Sequence, residues 1–273
     1  MDKQLSLLLV GCGNMGQALM GGWIAMGVAP INIRVIDPGA GAKSACTAAG
    51  VSCMDNIGAL DNDFAPDAIL FAVKPQMIAD TAPQYLRFSK DALFISIVAG
   101  TRINWFENLF GQQAAILRVM PNTPALVQKG ISALSANGAV SDSQRNLGQS
   151  LFKAVGEVVW LDQEDHIDAV TALSGSGPAY IFLLIEAMAN AGKQVGLPEE
   201  TADQLARQTV IGAAHLAAQS DLNPETLRKN VTSPGGTTAA ALEVLMADGG
   251  MSDLLAKAIA AATARAEELG KAS

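Results

Sequence analysis

Histidine is nearly missing from this sequence. His166 and His215 are the only two, and they stand far apart along the chain. A histidine-based metal site or catalytic triad therefore has little to draw on. Cysteine is scarce as well. Cys12, Cys46 and Cys53 make an odd count with no metal-ligand spacing, so they are expected as reduced thiols, and no metal is expected. Basic charge is in deficit, with 18 Lys and Arg against 26 Asp and Glu and a formal net charge of −8. Nucleic acid is not an expected partner, because phosphate backbones need a basic face. An anionic cofactor stays open, since a helix N-terminus supplies local positive potential. The apolar run at residues 5–10 is too short for a secretory core and lacks a strongly basic flank. No stretch is read as reaching the ~20 apolar residues of a membrane span. The expected location is the cytoplasm, away from any membrane.

What is present suits a folded protein with a sizeable core. Half of the 273 residues are hydrophobic and only 16% are charged. The expected fold is an α/β Rossmann-type N-terminal domain over residues 1–163, followed by an all-α C-terminal dimerisation and substrate-binding domain over residues 164–273.

The case starts at residues 5–10, LSLLLV, a nearly continuous apolar run of the kind found in parallel strands buried on both faces. Gly11-Cys12-Gly13-Asn14-Met15-Gly16 follows, then a helical pattern from about Met15 to Met26, then a strand over residues 31–36 that ends at Asp37. Strand, glycine turn, helix, strand and acid stand in the order a dinucleotide site requires. Gly11 allows the tight turn, Gly13 lets the backbone approach the pyrophosphate, and Gly16 lets the helix pack close to the strand. The helix start presents unpaired N–H groups to phosphate. An acid at the position of Asp37 accepts hydrogen bonds from the ribose hydroxyls, which leans towards NADH over NADPH. Arg34 and Lys43 are nearby bases that would instead suit a 2′-phosphate; otherwise Asp37 is a helix cap or a solvated acid.

Strands are expected over residues 68–73, 92–98 and 115–119, with a helix from Pro75 to about Phe88. Ligands gather at the carboxyl ends of parallel strands, which puts Ala72, Val73, Lys74, Pro75, Ala99, Gly100 and Asn122 on the cofactor rim. Lys74 is read as lying beside the cofactor and acting through charge or backbone rather than as an acid catalyst. Asn122 is left between two readings: a partner for the nicotinamide carboxamide or a substrate group, and a turn residue between two prolines.

Beyond Trp160 strand signals stop. A long apolar helical region covers residues 167–195, interrupted by Ser174-Gly175-Ser176-Gly177-Pro178. Residues 179–187 are hydrophobic nearly all round, and such a helix needs burial in a core or a subunit interface. An obligate oligomer, most simply a two-fold dimer, is the expectation. Further helices are read at about 199–220, 223–229, 237–248 and 251–269. Before the third of these lies Asn230-Val231-Thr232-Ser233-Pro234-Gly235-Gly236-Thr237-Thr238. This loop reads either as an anion cradle for a carboxylate or as an ordinary turn capped by Thr237.

Taken together, GCGNMG, FAVKPQ, VAGT, MPNTP, DAVTALSGSGPAY and NVTSPGGTTAAAL resemble the pyrroline-5-carboxylate reductase family over essentially the whole chain. The resemblance implies reduction of a cyclic imino acid, 1-pyrroline-5-carboxylate, to L-proline with NADPH or NADH. It implies that segments matching residues 11–15 and 72–75 bind the cofactor. Asn230, Val231, Ser233, Gly235, Gly236, Thr237 and Thr238 would belong to the substrate loop, with Thr238 at the ring nitrogen as the catalytic residue. It also implies an intertwined homodimer combining the cofactor of one subunit with the loop of another, and rings of dimers. Many relatives that prefer NADPH have a neutral or basic residue where Asp37 stands. Two other readings are a 3-hydroxyacid-type dehydrogenase, for which the long helix offers only Lys193 near its end, and a non-catalytic NAD(P)-binding sensor.

Overall fold

The computed structural model describes residues 5–271. Contacts divide the chain into two compact units. The first contains the described residues up to Gly175 together with those from Ala262 on, and the second contains Ser176–Ala261. Segment 164–175, expected to open the helical domain, thus groups with the sheet.

In chain order the first unit has β1 (Leu7–Val10), α1 (Asn14–Ala25), β2 (Ile33–Ile36), α2 (Ala40–Ala49), β3 (Ser52–Met54), β4 (Ala68–Phe71), α3 (Ile78–Thr81), β5 (Leu93–Ser96), α4 (Ile103–Phe110), β6 (Ala115–Met120), β7 (Gly130–Ala136), α5 (Asp142–Lys153), β8 (Gly156–Trp160) and α6 (His166–Val170). The strands form one sheet in the order β3-β2-β1-β4-β5-β6-β7-β8. All neighbours are parallel except β6 and β7. The order reverses between β1 and β4, the switch point where such sheets open a crevice.

Alternation along β1 sends Leu7 and Leu9 to one face and Leu8 and Val10 to the other, and all four are buried. On the first face α1 packs through Leu19, Met20 and Trp23, and the Trp23 indole donates to the Leu151 carbonyl of α5 at 3.0 Å. On the second face Phe71, Phe94, Phe106 and Phe110 stack against one another, with Tyr85 edge-on to Phe71. A sequence with few aromatics has put five of them in one layer, where each buries a large apolar area.

Three expectations need correcting here. The segment from Pro75 to Phe88 is not one helix. It runs as a 3₁₀ turn (Pro75–Met77), the single turn α3, and a second 3₁₀ stretch (Ala82–Phe88). Pro83 lacks the N–H that a continuous α-helix would use there. Second, β3 and β7 gave no strand signal. β3 has only three residues, and β7 reads GISALSA, small and polar enough to hide its alternation. β7 runs antiparallel because only a short 3₁₀ connection, Thr123–Val127, separates it from β6, whereas a parallel return needs a crossover. Third, among the described residues one helical stretch, His166–Gln194, is long and apolar enough to cross a membrane by length and composition. Asp168 and Glu186 interrupt the apolar run, so it does not stand out in the sequence although its average is apolar.

The second unit comprises α7 (Gly177–Gln194), α8 (Glu199–Gln219), α9 (Pro224–Asn230), α10 (Thr237–Leu245) and the start of α11 (Met251–Lys271). α7 and α8 pack together as an antiparallel pair through small residues, with Ala189, Ala202 and Ala206 buried. Most larger apolar side chains stay outside: Phe182 is 65% exposed, Leu183 62% and Val244 73%.

Candidate active site

The carboxyl ends of β2, β1, β4, β5 and β6 carry the expected cofactor residues in the first unit. Gly11 leaves β1 with φ +91°, a conformation that favours glycine. A Cβ built on it would lie 2.7 Å from the Ala72 carbonyl oxygen and 2.9 Å from the Val73 nitrogen. The segments after β1 and β4 therefore touch backbone to backbone at the switch point. A Cβ on Gly16 would sit 2.5 Å from the Gly11 carbonyl oxygen, so α1 approaches the turn as closely as chain allows. A Cβ on Gly13 would meet nothing within 4 Å, which leaves open space above the loop.

Gly13 is the N-cap of α1 and supplies no side-chain cap, and no acid lies in the first turn. The first amides of α1 thus point into that space with no side chain closing them off, as phosphate binding requires. Asn14 is exposed and Met15 half-buried at this end. The residues present fit a dinucleotide pyrophosphate.

Asp37 ends β2 as expected, and its carboxylate is engaged. Oδ2 accepts from the Cys12 backbone N–H at 2.7 Å, and Oδ1 accepts from the Gly39 N–H at 2.7 Å. Asp37 therefore ties the glycine turn to the start of α2. The two nearby bases are also engaged. Arg34 donates to the Ile31 carbonyl and lies over the Phe64 ring, 5.2 Å from its centroid. Lys43 pairs with Asp55 at 2.5 Å.

Lys74 is exposed and precedes the 3₁₀ turn at Pro75; Ala72 and Val73 are half-buried. Ala99 and Gly100 follow β5, with Gly100 at φ +78°. Asn122 follows β6, and both ends of its side chain are used: Nδ2 donates to the Ser174 carbonyl at 3.1 Å and Oδ1 accepts from the Ile131 N–H at 2.9 Å. The three cysteines are free thiols. Burial pushes the Cys12 thiol up to about 11 and raises Cys46 too, which keeps both protonated and poor nucleophiles at neutral pH.

Beside this rim lies an ionic cluster that the sequence reading missed. Arg118 of β6 is 2% exposed and donates to Glu164 Oε1 at 2.8 Å. Asp168, 4% exposed, accepts from Arg102 at 3.1 Å, and Arg102 also bonds Asp165 at 2.6 Å. Glu164 accepts the Ile103 N–H at the start of α4 at 2.8 Å. Buried charges persist only when paired in this way. The available signal was an arginine inside the apolar strand AILRVM, which needs acids from elsewhere.

The residues expected to hold a carboxylate lie in the second unit. Gly235 has φ +70°, and the Gly236 N–H bonds the Ser233 carbonyl at 3.0 Å, closing a turn into α10. Thr237 is not the N-cap. Gly236 holds that position, with no side-chain cap bond, and Thr237 and Thr238 form the first turn. Because glycine caps the helix, the amides at its start have no hydroxyl of their own N-cap to satisfy them. Thr238 and Gly236 are half-buried, while Asn230, Val231, Ser233, Gly235 and Thr237 are exposed. Lys193, the base a 3-hydroxyacid dehydrogenase would need, is paired with Glu199 at 3.3 Å near the end of α7.

A Rossmann sheet with an uncapped glycine turn, joined to an apolar helical unit, defines an oxidoreductase of the NAD(P)-dependent class. Residues 164–269 match the family model described as pyrroline-5-carboxylate reductase dimerisation, and residues 6–100 match that of NADP oxidoreductase, coenzyme F420-dependent. The pyrroline-5-carboxylate reductase of Pseudomonas aeruginosa is 42% identical over 97% of both chains. A pyrroline-5-carboxylate reductase structure from Coxiella burnetii aligns with TM-score 0.90 at 39% identity, covering 98% of this chain and 99% of that one. A pyrroline carboxylate reductase of Plasmodium falciparum, solved with NADP bound, aligns with TM-score 0.83 at 29% identity, covering 97% and 98%. The chain belongs to the pyrroline-5-carboxylate reductase family.

Proposed function

We propose that the chain reduces 1-pyrroline-5-carboxylate to L-proline with NAD(P)H, the last step of proline biosynthesis, in the cytoplasm. The observation that carries this reading is the pairing, in one chain of this family, of two uncapped helix starts. One is at Gly13 on a dinucleotide switch point, and the other is at Gly236 behind a hydroxyl-rich loop. The first suits a pyrophosphate and the second a carboxylate.

Bound at the rim, the reduced dinucleotide supplies a hydride for the C=N carbon. The chain's residues orient and exclude. Gly11, Gly13 and the first turn of α1 hold the phosphates. Ala72 to Pro75, Ala99 and Gly100 line the rest of the rim, Lys74 through its backbone. Asn230, Val231, Ser233, Gly235, Gly236 and Thr237 form the carboxylate loop. Thr238 is the catalytic residue, its hydroxyl meeting the ring nitrogen and setting the face of attack. A cyclic imine is basic enough to take its proton from solvent, so no strong general acid is needed, and catalysis is chiefly orientation. This suits a chain with only two histidines.

NADH is the favoured cofactor. An acid at the end of β2, as Asp37 is, suits ribose hydroxyls better than a 2′-phosphate, and the bases that would balance such a phosphate, Arg34 and Lys43, have other partners. The protein assembles as a homodimer through the apolar faces of α7 and neighbouring helices, and dimers associate into rings. The test is the initial rate of NADH and of NADPH oxidation with 1-pyrroline-5-carboxylate, with proline identified as product. Folded protein that binds nucleotide and gives no proline would overturn the assignment.

A further inference from the structure

The Ser174 carbonyl lies in the π-helical turn Thr171–Gly175, just ahead of α7. In a continuous α-helix that oxygen would accept from residue 178, which is Pro178 and has no N–H. The next candidate, the N–H of Ala179, bonds the Ser176 carbonyl at 3.0 Å instead. The vacancy is filled from outside the helix by Asn122 Nδ2, at 3.1 Å. The same side chain accepts the Ile131 N–H at the start of β7, so one amide closes the loop after β6 and anchors the π turn. Segment 164–175 is held twice, by β6 and by the loop after it: Arg118 binds Glu164 at its start, and Asn122 binds Ser174 at its end.

We propose that Asn122 is a positioning residue for hydride transfer. Resting on the reductase reading above, the inference is that its amide fixes the Ser174–Gly175 backbone at the end of the π turn. It does so by replacing the donor that Pro178 cannot supply. π turns inside helices recur at functional sites because they redirect backbone groups, and such a turn holds its shape only when those groups are satisfied. The glycine turn and Asp37 follow β1 and β2, three and four strands from β6, and none of the Asn122 bonds reaches them. Losing the amide therefore changes the alignment of the reacting atoms and leaves dinucleotide affinity alone.

The experiment compares wild type, Asn122→Ala, Pro178→Ala and the double variant in the intact enzyme. Asn122→Ala lowers kcat by about tenfold or more, with the dissociation constant for NADH within about twofold of wild type. The primary isotope effect with deuterated NADH rises, because the hydride step becomes slower. Pro178→Ala restores an N–H that can bond the Ser174 carbonyl, so the double variant recovers most of the lost kcat. An unchanged kcat in Asn122→Ala overturns the proposal. So does an equal loss in the Pro178→Ala background, and so does a parallel loss of NADH affinity, which would make Asn122 a cofactor contact. If Asn122→Ala does not fold, Asn122→Ser, which reaches only one partner, takes its place in the same cycle. Absence of turnover in the wild type marks failure of the reductase reading instead. Amide exchange across residues 171–177 then reads the latch alone: faster exchange in the variant upholds it and unchanged exchange removes it.

Discussion

The two units of this chain solve the burial problem in opposite ways. In the first, β1, β4, β5 and β6 are buried along their whole length, and helices cover both faces of the sheet. In the second, α7 buries only Ala189 and leaves Ile181, Phe182 and Leu183 outside. A helix that apolar is stable in water only when something covers it. The first unit is complete as one chain, and the second is built to be completed by another copy. The contrast also explains why the stretch His166–Gln194, which ends in α7, is apolar enough to cross a membrane: an interface helix and a spanning helix can share a composition, and what covers them differs.

Predictions that probe this contrast begin with the second unit. Phe182→Asp places a charge in the apolar face, where each large side chain covered contributes about 1.5–3 kcal/mol. Sedimentation should show monomers, and turnover should fall by about 100-fold or more. NADH binding, followed by fluorescence, should survive because the first unit has its own core. A Phe182→Asp protein that stays dimeric and active would break the comparison outright. Thr238→Val comes next. Loss of one hydrogen bond to a charged group, about 1.5–3 kcal/mol, lowers kcat by roughly 10- to 100-fold with NADH affinity unchanged.

Gly16→Ala reaches into the first unit. Its methyl group would meet the Gly11 carbonyl at 2.5 Å, so α1 has to move back from the turn. Overpacking of this kind costs about 1–3 kcal/mol, seen as a lower Tm and weaker NADH binding, while the dimer persists. Asp37→Ser should have the smallest effect, shifting the ratio of NADH to NADPH efficiency towards NADPH by about tenfold or less. It should also loosen the glycine turn, because the Cys12 N–H loses its carboxylate partner. An unmoved ratio in that variant would confine Asp37 to its structural role.

Legibility in the sequence followed the range of the forces involved. The β1–α1–β2 order, the glycine spacing and the boundaries of α8, α9 and α11 were readable within a residue or two, since apolar period, proline and glycine act over a few neighbours. The 75–88 segment departs from a single helix although the signal for this, Pro83, is local. β7 hides because small residues carry little hydrophobic contrast, and of the two readings of the loop before α10, the turn capped by Thr237 is excluded because Gly236 holds that place. The ionic cluster was invisible as a cluster, although Arg118 in an apolar strand announced that acids were needed somewhere.

By itself, then, the sequence determined that a glycine-punctuated parallel sheet with a dinucleotide crevice precedes an apolar helical region carrying a hydroxyl-rich loop. Each of those features is written in residues adjacent to one another. Only the tertiary structure decided that Asp37 grips the glycine turn 25 residues back, that Arg118 meets Glu164 46 residues on, and that Asn122 supplies the Ser174 carbonyl 52 residues away. A sequence states which groups need partners, because a buried charge or an orphaned carbonyl is costly wherever it lies. Which partner satisfies each one is set by chain folding, which brings distant residues within hydrogen-bond reach and leaves no periodic trace.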